Sequence, residues 1–204
     1  MSRLSYTRAL DNLLFPLGFE RQKNMWTRIS GDIRERVNLQ KSWVDGSVTV
    51  NLWADSVETL RIIETIPCKH ELGLFTFGQR ISGLVAEFGG LDRWWKNNPD
   101  GPREVASLVE TYALPWFCNV ITLEDQARHW YGRGYTGTWG KPNLAAQVVT
   151  LYRLGELDEA LSMFDEAIPR MANPVMVEKA RCIQRWVEDQ IRQRGPPNEK
   201  AGSL

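Results

Sequence analysis

Polar and apolar side chains alternate in two runs between Arg36 and Asp55, and the runs meet at Asp45-Gly46. A period of two predicts strands, because successive strand side chains point to opposite faces. Asp-Gly between such runs predicts a hairpin with a two-residue turn. In that register Val44 faces Ser47, Gln40 lies opposite Asn51, Ser42 opposite Thr49, and Leu39 opposite Leu52. Val37, Leu39, Trp43, Val48, Val50 and Leu52 then share an apolar face. Arg36, Asn38, Gln40, Ser42, Thr49 and Asn51 share the polar one, with Trp53 at its end.

Elsewhere the period changes. Tyr6, Leu10, Leu13 and Leu14 recur near helical spacing within Leu4–Phe15, and Pro16 with Gly18 ends that helix. Met25–Ile29 and Ile33–Trp43 read as strands around the turn signal Ser30-Gly31-Asp32. Leu60–Ile66 fits either a strand or a helix. Leu74–Ile81 reads as a strand with Gly78 as a bulge. Val105, Leu108, Val109 and Tyr112 form an amphipathic stripe on a helix that Pro115 breaks. Thr122 is the expected cap of a helix over Leu123–Tyr131. Helices follow over Leu144–Leu154 and Leu157–Ile168, split at Gly155, and over Val175–Arg192. Glu156, Asp158 and Glu159 read as an acidic helix start, where carboxylates suit the helix dipole.

Composition narrows the class. The 204 residues are 43% hydrophobic and 25% charged, near globular averages, and suit one domain or one with an appendage. Lys plus Arg equals Asp plus Glu, which argues against a general nucleic-acid binder. No run approaches the roughly 18 apolar residues of a membrane span. The N-terminus lacks the apolar core and cleavage site of a signal peptide. Cys68, Cys118 and Cys182 are dispersed and odd in number, which is no disulfide framework and fits a reducing compartment. A cytoplasmic location is therefore expected. The nine tryptophans depart from the average. Most are expected in the core, and the surplus favours a binding surface.

Catalytic motifs are sparse. Gly140-Lys141 invites a phosphate-loop reading, but Tyr135 stands where the leading glycine belongs, Pro142 follows the lysine, and no strand precedes the loop. Cys68 and His70 would share a face of a strand, yet a zinc site wants four ligands and no second cluster appears. A surface histidine beside a half-buried cysteine is the expectation there. Asp92-Arg93 beside Trp94-Trp95 reads as a site edge or as a turn pinning a tryptophan. There is no Gly-x-Ser-x-Gly elbow and no His-Glu-x-x-His. No catalytic residue, metal ligand or cofactor is assigned.

The amides carry more. Asn38, Gln40 and Asn51 are poor strand formers, so three on one sheet face need a reason. They would bind a ligand or partner, form an internal network, or sit on a solvated face. Arg36, which could pair with a carboxylate, joins Asn38, Gln40 and Asn51 as the candidate binding face. Trp53, Trp95, Arg133, Tyr135 and Trp139 are the candidate interface anchors.

The same residues carry a resemblance. Leu17-Gly18-Phe19, Trp26 with Arg28, Asn38-Leu39-Gln40-Lys41-Ser42 and Asn51-Leu52 resemble the opening of the bacterial family of domain of unknown function 4304. Arg80, Trp94, Trp95, Pro115, Trp116 and Phe117 are similar to its later landmarks. The resemblance spans roughly Leu4–Tyr131, departs at "RQKN" where a Lys-Gly pair is common, and implies a fold but no activity. Separately, "RLGELDEALSMFDEAI" resembles one tetratricopeptide-type helix pair through Gly155, Ala160, Phe164 and Ala167.

The expected fold is α+β, an antiparallel sheet packed by helices with a C-terminal helical extension. Residues 1–131 are the expected sheet domain, 132–193 the helical extension packed on it, and 194–204 a flexible tail. The leading functional expectation is a non-enzymatic protein-binding module of a bacterial cytoplasmic protein. Its specific form, by class analogy, is an immunity protein that neutralises a partner toxin by covering its active site. The second expectation is a small enzyme or small-molecule binder using the polar sheet face. The third is a structural helper without a ligand. Neither nucleic acid nor membrane is an expected partner. A deep pocket lined by the amides would favour the second, and a flat polar face with exposed tryptophans the first.

Overall fold

In a computed structural model, which describes residues 4–72, 78–89, 91–96, 99–132 and 144–194, the chain opens with helix α1, Tyr6–Leu14. Ser5 caps it by accepting a hydrogen bond from the Arg8 N–H at 3.2 Å. Among the described residues five strands follow: β1 Glu20–Gln22, β2 Met25–Ser30, β3 Ile33–Lys41, β4 Val48–Ser56 and β5 Gly78–Arg80. Each pairs antiparallel with the next, which makes a meander.

Strand alternation sorts the two faces. Trp26, Ile33, Val37, Leu39, Val50, Leu52 and Ala54 share one face, and all are buried. They form one core with Leu10 and Leu14 of α1 and with Val105, Val109, Trp116 and Phe117. Each such aliphatic side chain contributes about 1.5–3 kcal/mol by leaving water. Glu35 lies on this face as well. Burial pushes its carboxyl up, and Arg28, 2.6 Å away, pulls it back down. The arrangement is α+β, as expected.

One expectation is corrected here and one open reading is decided. Pro115 does not end the helix that begins at Gly101. Helix α3, Gly101–Leu108, passes through a widened turn at Val109–Ala113 into α4, Leu114–Cys118. Pro115 stands in the first turn of α4, where a missing N–H costs little. The wide turn takes up the break in the hydrogen-bond ladder. Leu60–Ile66, open between strand and helix, falls largely within helix α2, Val57–Thr65. Its start is fixed from a distance, because Asp32 accepts from the Glu58 N–H at 2.9 Å and from the Ser56 hydroxyl at 2.6 Å.

Helix α5 spans Leu123–Gly132, and Thr122 caps it through the Asp125 N–H at 3.0 Å. Then come α6 Leu144–Leu154, α7 Leu157–Ala167 and α8 Pro174–Arg194. The chain divides into two compact units. One is Met1–Glu58 with Phe75–Pro142, the other Thr59–Leu74 with Asn143–Leu204. The second unit has its own core, built from Leu60 and Ile63 of α2, Val149 of α6, Phe164 of α7, and Ile183 and Val187 of α8. Among the described residues no helix is long and apolar enough to cross a membrane.

Candidate functional site

The β3–β4 hairpin is two residues out of the simple register. Gln40 pairs with Thr49, Asn38 with Asn51, and Leu39 with Val50. A two-residue type I′ turn would need positive φ at both Asp45 and Gly46. Gly46 has it, at φ 71°, and Asp45 does not. The Asp45 carboxylate instead accepts from the Ser47 N–H at 3.1 Å and the Ser47 hydroxyl at 2.6 Å. The Ser42 N–H reaches the Ser47 carbonyl at 2.7 Å and closes a four-residue loop. These bonds hold the Asp45 carboxyl down at about 2, with the Ser47 hydroxyl the largest cause and its N–H the next.

A shift of two keeps every side chain on its face. It also moves Trp43 off the end of the sheet. Trp43, expected on the apolar face, stands at the tip, 96% exposed beside Val44 at 74%. The candidate anchors did not include it, because strand alternation assigned it to the core.

The polar face is an internal network in part. The Asn51 amide donates to Gln40 Oε1 at 2.9 Å and to Asn38 Oδ1 at 3.3 Å. The Asn38 amide donates to the Asn24 carbonyl at 3.1 Å. Asn51 and Thr49 on β4 are buried, whereas Asn38 and Gln40 on β3 are half-exposed. Arg36 and Arg34 both reach the buried Asp55 carboxylate, Arg34 at 3.7 Å. Burial pushes the Arg36 guanidinium down from its ordinary range, Asp55 pulls it up, and Arg34 opposes. Arg36 also lies over the Trp53 ring, 5.3 Å from its centroid.

Trp53 explains Gly78, which is no bulge but a point of close approach. A Cβ on Gly78 would sit 2.2 Å from Trp53 Cδ1. Arg80, opposite Asn51, is buried, pairs with Asp92 and lies 5.2 Å from the Trp94 ring centroid. Asn51, Trp53, Gly78, Gln79 and Arg80 line a recess of about 20 Å³. That volume admits about one water.

Of the other expected anchors, Trp95 is in the core at 3% exposure rather than on the surface. Its backbone explains this, since Trp95 and Val48 exchange N–H to carbonyl bonds at 2.7 and 2.9 Å and tie the chain to β4. Trp53 is half-buried. Arg133, Tyr135 and Trp139 lie outside the described residues. His70 bonds Glu178 at 3.1 Å, and among the described residues no group of three or more His, Cys, Asp or Glu is placed to hold a metal ion.

Several of the motif residues quoted from the sequence are structural. Phe19 is buried beneath the Arg28 guanidinium, 4.6 Å from its ring centroid. Trp26 donates to Asp11 at 3.0 Å. Trp116 and Phe117 pack in the core with tilted rings, centroids 5.1 Å apart. A family model described as "Domain of unknown function (DUF4304)" matches residues 10–119, a little over half of the chain. No curated protein and no solved structure matches it.

Proposed function

The chain belongs to that family, and we propose that it acts as a non-enzymatic protein-binding module whose contact surface is the β3–β4 hairpin tip. The observation that carries this reading is Trp43, 96% exposed on a loop that Asp45 and Ser42 hold in place. An indole left in water adds no burial to the fold, and tryptophan is among the side chains enriched as interface anchors. The loop's bonds order it in advance, which lowers the entropy lost on docking. Val44 widens the apolar tip, and the half-exposed Gln40 stands three residues before Trp43 at the tip's end of β3. A recess with room for about one water favours this reading over a small-molecule pocket on the same face.

In its sharpest form the partner is a toxin made from an adjacent gene in a bacterial host, and the tip covers the toxin's active site. Co-expression tests it. The neighbouring product should arrest growth alone and be harmless with the wild-type chain. Trp43→Ala should abolish protection while the variant stays folded, with affinity reduced by about 30-fold or more. Full protection by Trp43→Ala removes the tip from the interface. A neighbour that is harmless alone removes the toxin form of the reading.

A further inference from the structure

In the second unit the segment after α2 runs along α8. Lys69 Nζ lies 2.8 Å from one Glu178 carboxylate oxygen, and His70 Nε2 lies 3.1 Å from the other. Cys182 stands one helical turn further on, on the same side of α8 as Glu178. Cys68, the residue before Lys69, is its near neighbour, acting on the Cys182 thiol after burial. Arg185 Nη2 donates to Cys182 Sγ at 3.7 Å. Cys182 is buried and Cys68 half-buried, whereas Cys118 is exposed and belongs to the other unit. Two neighbouring thiols, set beside a carboxylate that both Lys69 and His70 reach, are more than the dispersed cysteines of the sequence suggested.

We propose that Cys68 and Cys182 are a modification site, closing reversibly into a disulfide by exchange with a low-molecular-weight disulfide. Exposure sets the order of attack. The Cys68 thiol gives its proton to solvent, and the thiolate attacks one sulfur of the reagent. The reagent's S–S bond breaks, a mixed disulfide forms on Cys68, and one reagent thiolate leaves and takes up a proton. Cys182 then loses its proton to solvent and attacks the Cys68 sulfur. The mixed disulfide breaks and the second reagent thiolate leaves, taking up a proton in turn. Two protein thiols are oxidised and one reagent disulfide is reduced to two thiols. Cys182 is the more buried of the two, so it serves as the resolving group, and the Arg185 guanidinium steadies its thiolate as it forms. This site does not depend on the partner reading, since the hairpin tip lies in the first unit.

The full chain treated with glutathione disulfide, alkylated and digested should yield a peptide pair linking Cys68 to Cys182. Both residues should lose alkylation, and dithiothreitol should restore it. Cys118→Ser should keep the link. Cys182→Ser should stop at a glutathione adduct on Cys68. The proposal is overturned if wild-type Cys68 and Cys182 stay alkylated, if the adduct accumulates on wild-type Cys68, or if oxidation only joins chains through Cys118. Should Cys182→Ser fail to fold, the linked peptide from the wild type decides alone.

Discussion

Asp45 shapes the hairpin tip with its side chain. Its carboxyl is held from 3.8 down to about 2, so the turn's contribution to stability is complete above 3.8 and is lost as pH falls through about 2. The Ser47 amide shift should therefore titrate with a midpoint at about 2. In Ser47→Ala the midpoint should climb towards 3.8, because the hydroxyl bond is the largest cause of the depression. An unchanged midpoint would mean that the turn is held by something else. Asn51 makes a second prediction. It joins Gln40 and Asn38, both half-exposed and able to turn to water. Asn51→Ala should then cost a modest ~1–2 kcal/mol in urea unfolding. Asp55→Asn should cost more, about 3 kcal/mol, since it leaves Arg36 without its buried counter-charge. Arg34, 32% exposed, keeps water and limits the loss.

Elements were legible where local chemistry decides them. The faces of β3 and β4 follow from alternation alone, and they survive an error of two in register because two is the period. The register itself was not legible, since Asp-Gly also fits a loop in which the aspartate bonds forward to Ser47. The cap of α2 comes from Asp32 on the β2–β3 turn, so nothing local to Leu60–Ile66 decided between strand and helix. Strand β1 was missed because Glu20–Gln22 is exposed throughout and has no alternation. Gly78 was seen as special for the wrong reason. Gly78→Ala should force the Trp53 ring aside and destabilise by ~1–3 kcal/mol. If the clash is the cause, the same substitution made in a Trp53→Ala background should cost far less, and equal costs in both backgrounds would refute it.

At the scale of the molecule, each unit closes its own core, and the amides that raised the question of a ligand are largely turned on one another. Part of the candidate surface was legible: the polar face and its half-exposed Asn38 and Gln40. The anchor was not, because Trp43 belongs to an apolar alternation that stops one residue pair too early for it. Ile29, 64% exposed, lies on β2 opposite Arg34, at the end of β3 away from Trp43. The separation is on the order of 25 Å by strand rise. That separation allows a direct measurement in the native host. A photoreactive residue is placed as Trp43→p-benzoylphenylalanine, with Ile29→p-benzoylphenylalanine as the control. Irradiation should produce one defined adduct with a different protein from position 43 and none from position 29. No adduct from position 43, or the same adducts from both positions, would contradict a binding surface at the hairpin tip.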